Sequence, residues 1–358
     1  MRILIIGLGS MGKRRMRLLH EISVTEKANI ELVGTDGRSD RRCEAEKQAK
    51  ELGFTFRTYD SIKAAVEAGE SVGIDAAVIS TSPLSHALII KECLGYGLNV
   101  FTELNLVSDG YEDNLALAKE KGLTLFLSST PIYRDEMRYI TDKVKDVSDC
   151  GEGKACRRLN YTYHVGQYLP DWHPWESYKD FFIGSKRTNG CREILAVELP
   201  WMVKAFGEIE SVQCISSRQT ALDIDFNDCY NILIKHKTGH TGVFTVDVVS
   251  RPPVRSLLIS GEGFYLTWDG SPEGLAEYDE AESKLKSVDI YTHVEHREGY
   301  NPTIVENMYV TELLDFLAVL RGEKKAEYSF EEDKVILDII DRIEFTYGLP
   351  RMLSLKKG

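Results

Sequence analysis

No stretch of this chain approaches the roughly 18 consecutive apolar residues of a membrane-spanning helix. The early run Ile3 to Ile6 is too short for the core of a secretory signal and leads straight into glycines. The protein is therefore expected to stay in the cytoplasm and to have no membrane partner. Positive charge is in deficit: 44 Lys and Arg stand against 56 Asp and Glu, a net charge of −12. Phosphate backbones are gripped by clustered cations, so a nucleic-acid partner is excluded. The 7 cysteines are odd in number, scattered, and never spaced Cys-x-x-Cys, which excludes a disulfide framework and a zinc knuckle; no metal site is expected. There is no internal repeat, low-complexity tract or disordered linker. What remains is an enzyme or a small-molecule binder, and 358 residues favour two domains.

Residues 1–128 alternate short β-branched runs with amphipathic stretches, the pattern of βαβ units on a parallel sheet. Strands are expected at 2–6, 30–35, 76–80, 99–102 and 124–128, with helices at 12–21, 42–52, 61–68, 85–96 and 109–121. From residue 129 to 358 the texture changes to longer alternating runs, at 154–163, 210–218, 231–237, 241–249, 256–260 and 264–268, which imply a largely antiparallel sheet. Two helical patterns, 305–320 and 330–346, close the chain. The expected fold is α/β: a dinucleotide-binding Rossmann domain followed by an α+β domain with an open-faced sheet. An exposed face of such a sheet needs cover, so a homodimer or homotetramer is expected.

Gly7-Leu8-Gly9-Ser10-Met11-Gly12 is a Gly-x-Gly-x-x-Gly sequence placed after the first strand and opening the first helix. The first glycine permits the turn, the second lets a pyrophosphate approach the backbone, and the third lets helix and strand pack. N–H groups at the helix start, from Ser10 and Met11 onward, then face the anion. Asp36 ends the second strand, where a carboxylate accepts from ribose hydroxyls. Asp36 favours NAD, while Arg38, Arg41 and Arg42 are positioned to pair with the 2′-phosphate of NADP.

These residues resemble the family of glucose-fructose oxidoreductase and inositol dehydrogenase (Gfo/Idh/MocA). The likeness runs on through Ile74-Asp75-Ala76-Ala77-Val78-Ile79-Ser80-Thr81-Ser82-Pro83, His86, and Gly97-Leu98-Asn99-Val100-Phe101-Thr102-Glu103. The resemblance implies a nicotinamide in a cleft between the two domains and hydride exchange with a hydroxyl of a small carbohydrate-like substrate: a sugar, sugar acid, inositol or nucleotide-sugar. It also implies that Ser80, Thr81 and Pro83 line the cofactor, that His86 sits near it at a helix start, and that Glu103 lies by the nicotinamide ribose.

Two family motifs are altered. The usual Glu-Lys-Pro is Glu103-Leu104-Asn105, and leucine cannot steady a developing alkoxide or move a proton as lysine does. Asn105 retains an amide that can reach the carboxamide or the substrate. The motif Asp-x-Gly-x-His-x-x-Asp places its first acid on Glu193 and its histidine on Val197, or on Glu198 if the register moves by one. A helix starting near Glu198, with Pro200 in its first turn, would let Glu193 and Glu198 face one cleft. Arg192 is either the partner of a substrate carboxylate or phosphate, or of Glu193.

Between Gln167 and Glu176 lie Trp172, His173 and Trp175 among Pro and Asp residues, combining faces for stacking on a sugar with titratable groups. His173 is the first candidate for general acid or base, ahead of Glu198 and Glu193, and His164 is a minor substrate contact. The altered motifs leave two alternatives to net oxidoreduction: an NAD-retaining lyase, epimerase or glycosidase, and a non-catalytic NAD-binding sensor or partner subunit.

Overall fold

The computed structural model describes residues 1–69, 73–149, 157–174, 176–291 and 305–345. In chain order it begins β1 (Arg2–Ile6), α1 (Ser10–Thr25), β2 (Glu31–Thr35), α2 (Ser39–Glu51), β3 (Arg57–Tyr59), α3 (Ile62–Glu67), β4 (Ala76–Ile79), α4 (Pro83–Gly95), β5 (Asn99–Thr102), α5 (Tyr111–Lys121) and β6 (Leu125–Leu127). It continues with α6 (Asp135–Ser148), β7 (Asn160–Gly166), α7 (Gly190–Phe206), β8 (Ile209–Ser217), β9 (Cys229–His236), β10 (Thr241–Asp247), β11 (Val254–Gly261), β12 (Phe264–Trp268), β13 (Ala276–Asp279) and β14 (Lys284–Ser287). Helices α8 (Asn307–Leu320) and α9 (Phe330–Phe345) follow. The chain forms two compact units, one of residues 1–133 and 306–334, the other of 134–305 and 335–358.

In the first unit six parallel strands are ordered β3-β2-β1-β4-β5-β6. All of β1 is buried, as a strand covered on both faces must be. Strand order reverses between β1 and β4, and ligands of open α/β sheets sit at the carboxyl ends of the strands at such a point. Helix α8 packs on α1, and the chain enters α9 through a capping box. Ser329 Oγ accepts from the Glu332 N–H at 3.2 Å while the Glu332 carboxylate accepts from the Ser329 N–H at 2.8 Å.

The second unit carries eight strands ordered β14-β13-β12-β11-β7-β10-β9-β8. Pairing is antiparallel except that β10 runs parallel to β7. Strand β9 buries Tyr230, Ile232, Ile234 and His236 and exposes Asn231, Leu233 and Lys235, so one face is covered and the other open. On the covered face Tyr163 and Phe244 stack at 5.2 Å, with Trp201 of α7 edge-on to Tyr163 at 5.5 Å.

Helix α7 differs from the sequence expectation: it starts at Gly190, with Asn189 as a capping residue whose side chain accepts from the Arg192 N–H, and it runs through Pro200. Buried apolar residues on several sides of this helix hold it together where the proline removes one backbone bond. Helix α6 and the short strands β3, β13 and β14 were also not anticipated. Cys43, Cys93, Cys191, Cys214 and Cys229 are free thiols. No helix of the described residues is long and apolar enough to cross a membrane.

Candidate active site

The three glycines do different work. Gly7 has φ +88°, and a Cβ there would lie 2.7 Å from the Ser80 carbonyl oxygen and 2.8 Å from Thr81 Cγ2, so this turn is packed against the end of β4. At Gly12 a Cβ would lie 1.8 Å from the Gly7 carbonyl oxygen, which is the close helix–strand contact the third glycine permits. Gly9 is open instead: among the described residues only the Arg41 guanidinium, at 3.7 Å, comes near its would-be side chain. Gly9 also caps α1 without a side-chain hydrogen bond, so the opening N–H groups at Ser10 and Met11 are left for an anion.

Asp36 is bound into this loop. Its Oδ2 accepts from the Leu8 N–H at 2.9 Å and its Oδ1 from the Arg38 N–H at 2.9 Å. Arg38 turns its guanidinium to Asp40, with Nε at 3.1 Å and Nη2 at 2.5 Å. Arg41 lies nearer the loop, 3.7 Å from Asp36 Oδ2, and Arg42 donates to the Asp36 carbonyl at 2.7 Å. These groups fit a dinucleotide: an open backbone cradle at Gly9, an uncapped helix start and a carboxylate at the end of β2.

Beyond β4, Ser80 is fixed through its N–H to the Ile6 carbonyl at 2.8 Å, and Pro83 takes the first turn of α4. His86 is buried, with Nε2 3.0 Å from the Thr81 carbonyl and Nδ1 2.7 Å from Asn105 Oδ1. A carbonyl only accepts, so Nε2 carries a proton, and burial lowers the imidazole pKa toward the neutral form. Neutral His86 then needs a donor at Nδ1, which the Asn105 amide supplies when its nitrogen occupies that side. Asn105 is 2% exposed and meets His86 from the interior.

Glu103 is held by Arg15, which donates Nε at 2.6 Å and Nη2 at 3.1 Å. Arg15 is fully buried and also pairs with Glu312 of α8 at 2.6 Å, while Glu312 accepts from Ser128 Oγ and the Ser129 N–H. Neither Arg15 nor Glu312 was singled out from sequence, since nothing local to either residue points to the other.

In the second unit the two acids of α7 have opposite surroundings. Glu198 is buried: its Oε2 accepts from Tyr163 Oη at 2.7 Å and Trp201 Nε1 at 2.7 Å, and its Oε1 lies 2.7 Å from Arg255 Nη2. Glu193 is partly exposed, yet its Oε2 is buried without a hydrogen-bond partner among the described residues. Loss of solvent pushes its carboxyl up to about 7. In the unbroken helix the two point about 140° apart and do not share one face. Val197, four residues from Glu193, is likewise partly exposed, so the accessible side of α7 passes through residues 193 and 197.

Arg192 does not pair with Glu193. Its guanidinium lies 2.7 Å from Asp341 and also against Glu344, and its side chain is 6% exposed. His173 has Nδ1 2.6 Å from Glu176 and its ring 4.2 Å from that of Phe181. Trp172 donates Nε1 to the Gln167 carbonyl at 2.9 Å, and Trp175 lies outside the described residues. His164 has a partner that the sequence did not reveal: its Nε2 is 2.6 Å from Asp247 Oδ2. Burial opposes ionisation of Asp247, but hydrogen bonds from His164, Val249 N–H and Ser250 outweigh it and hold this carboxylate below its ordinary range. His236 and His240 are core histidines, the former between Tyr161 Oη and the Gly207 carbonyl. Among the described residues no group of three or more His, Cys, Asp or Glu is placed to hold a metal ion.

The sequence matches no curated protein. The fold is shared with solved structures. They include the WlbA dehydrogenase from Bordetella pertussis in complex with NADH and UDP-GlcNAcA (16% identity, 96% of this chain and 94% of that one, TM-score 0.73). An oxidoreductase from Agrobacterium radiobacter in complex with NAD+, L-tartaric acid and magnesium is similar at 11% identity over 95% and 94% of the chains, TM-score 0.75. UDP-N-acetylglucosamine 3-dehydrogenase GnnA from Acidithiobacillus ferrooxidans is similar at 16% identity over 96% of each chain, TM-score 0.68. Residues 1–129 match the model of the Gfo/Idh/MocA oxidoreductase family, which has an NAD-binding Rossmann fold.

Proposed function

We propose that this protein is an NAD-dependent oxidoreductase acting on a hydroxyl or carbonyl of a small carbohydrate-like substrate: a sugar, sugar acid, inositol or nucleotide-sugar. The observation that carries this reading is the open Gly9 backbone at the uncapped start of α1, with Asp36 bound beside it. Gly7, Gly9, Ser10, Met11 and Gly12 would hold the pyrophosphate, Asp36 the adenosine ribose, and Ser80, Thr81, Pro83 and Glu103 the nicotinamide half. The bound dinucleotide supplies a hydride acceptor or donor. His86 and Asn105 serve by fixing the ends of β4 and β5. Asp36 makes NAD the preferred cofactor, and Arg41, rather than Arg38, is the cation that admits NADP.

Glu193 is the preferred acid/base residue. A carboxyl that titrates near 7 is matched to moving a hydroxyl proton at neutral pH, whereas Glu198 is buried, its Oε2 accepting from Tyr163 and Trp201 and its Oε1 paired with the Arg255 guanidinium. His173, backed by Glu176, is second. The fold shared with the dehydrogenase solved with NADH and UDP-GlcNAcA supports the substrate class by analogy.

The test is purified protein with NAD and a panel of sugars, sugar acids, inositols and nucleotide-sugars, followed at the absorbance of reduced nicotinamide. Growth with one class, lost in Glu193→Gln while NAD binding persists, supports the proposal. Product change without net NADH would move the protein to lyase or epimerase chemistry, and NAD binding with no turnover of any substrate would make it a sensor or partner subunit.

A further inference from the structure

Arg255 stands at the start of β11, and its side chain, paired with Glu198 of α7, is 24% exposed. Its guanidinium is fixed on the inner side by three groups: Glu198 at 2.7 Å from Nη2, Tyr163 Oη accepting from Nη1 at 3.1 Å, and the Trp268 ring 5.9 Å from Cζ. Its Nε has no partner among the described residues, and Gly270 gives its stem room, since a Cβ there would lie 2.7 Å from Arg255 Cβ. The neighbouring arginines are closed by comparison. Arg134, at 6% exposure, is bound bidentately by Glu136 and donates to the Gly270 carbonyl, and Arg192, also at 6%, is held by two carboxylates of α9.

We propose that Arg255 anchors an oxyanion of the substrate, a carboxylate or a phosphate, through the N–H groups on its outer edge. This rests on the function proposed above and narrows it to anionic substrates. A binding arginine must be immobilised before the ligand arrives, or ordering its side chain cancels much of the gain. Glu198, Tyr163 and Trp268 do that here. The planar fork then selects oxyanions over hydroxyls by geometry. Glu198 reduces the net positive charge, but it is buried, with its Oε2 accepting from Tyr163 and Trp201 and its Oε1 beside Nη2, so it meets the guanidinium at one edge.

The experiment is calorimetric titration of the NAD-loaded full-length protein with D-glucuronate, inorganic phosphate and D-glucose, using wild type and Arg255→Lys. Arg255→Ala would strand the buried Glu198, so the lysine variant is the informative one, with its thermal midpoint measured alongside. The expected result is that glucuronate binds wild type at least about 10-fold tighter than glucose. That preference falls at least about 10-fold in Arg255→Lys, while NAD affinity and the folded state are kept. Arg255-dependent binding of phosphate but not glucuronate supports the same anchor and assigns the anion to a phosphate. Equal binding of glucuronate and glucose, no anion binding to wild type, or undiminished anion binding in Arg255→Lys each overturns the proposal. Failure to bind NAD at all would instead overturn the oxidoreductase reading, and titrating the protein without NAD would then still report on Arg255.

Discussion

Helices α1 and α7 both bring buried charge into their units, yet they open in different ways. Gly9 offers α1 no side-chain cap, so the first N–H groups are left for a ligand; Asn189 caps α7 and takes one of those N–H groups itself. What α1 presents is backbone, shaped by three glycines within six residues. What α7 presents is two side chains, Glu193 and Glu198, whose properties are set by strands and helices far along the chain. The first arrangement is robust to everything except a side chain in the wrong place. The second is tuned residue by residue.

The largest effects should come from testing the glycines against each other. Gly12→Ala forces a Cβ to within 1.8 Å of the Gly7 carbonyl oxygen and should cost more than about 4 kcal/mol, read as loss of the cooperative urea transition. Gly9→Ala meets only the end of a flexible arginine, so the protein should fold normally while NAD affinity, measured by nicotinamide fluorescence, falls at least about 10-fold. If both variants behaved alike, the distinction between a packing glycine and a ligand glycine would fail.

Next in size is the buried pair of α7. Glu198→Ala leaves Arg255 without its carboxylate and removes the acceptor of Tyr163 and Trp201, a change that typically costs about 3–5 kcal/mol. Glu193→Gln removes no such partner and should change unfolding free energy at pH 6 by less than about 1 kcal/mol. Comparable losses in the two variants would show that Glu193 has structural ties like those of Glu198.

Legibility divides along the same line. The glycine loop, Asp36 and the strands of the parallel sheet were readable because their sequence signals are local: a turn, a helix start, an all-buried β1 and a carboxylate directly after β2. The environment of Glu198 was not, because its partners Tyr163 and Arg255 lie on β7 and β11 and only the folded sheet brings them together. The same holds for Arg15, whose partners Glu103 and Glu312 are 88 and 297 residues distant. Pro200 misled for a local reason: proline favours a first helical turn, but here burial of Leu195, Ala196, Leu199 and Trp201 keeps the helix continuous around it. The acidic partners of Arg192 and His164 come from α9 and β10, far along the chain, and so were not legible either.

A smaller effect concerns pH. The carboxyl of Glu193 is raised from 4.5 to about 7 in the folded protein, so folding favours its protonated form. Stability from this group is fully present below the unfolded value and is lost as pH rises through about 7; the shift caps the effect at about 3 kcal/mol, less the screening of a partly exposed group. Wild type should therefore lose stability between pH 5 and pH 8 relative to Glu193→Gln. A glutamine variant with the same pH dependence as wild type would remove the physical basis for choosing Glu193 as the proton-transfer group.

The smallest expected effect tests the caps directly. Asn189→Ala removes the acceptor for the Arg192 N–H and the amide that donates to Glu344, and should cost about 1 kcal/mol. Adding a cap to α1 by Gly9→Asn should do the reverse, keeping or slightly raising stability while blocking the N–H groups that would receive the pyrophosphate. Denaturant midpoints and NAD titrations of the two variants then separate the roles. A helix start that serves the fold loses stability when its cap is removed, and one that serves a ligand loses affinity when a cap is supplied. If Gly9→Asn bound NAD as wild type does, the uncapped start of α1 would be an ordinary glycine turn, and the case for a dinucleotide would have to rest on Asp36 alone.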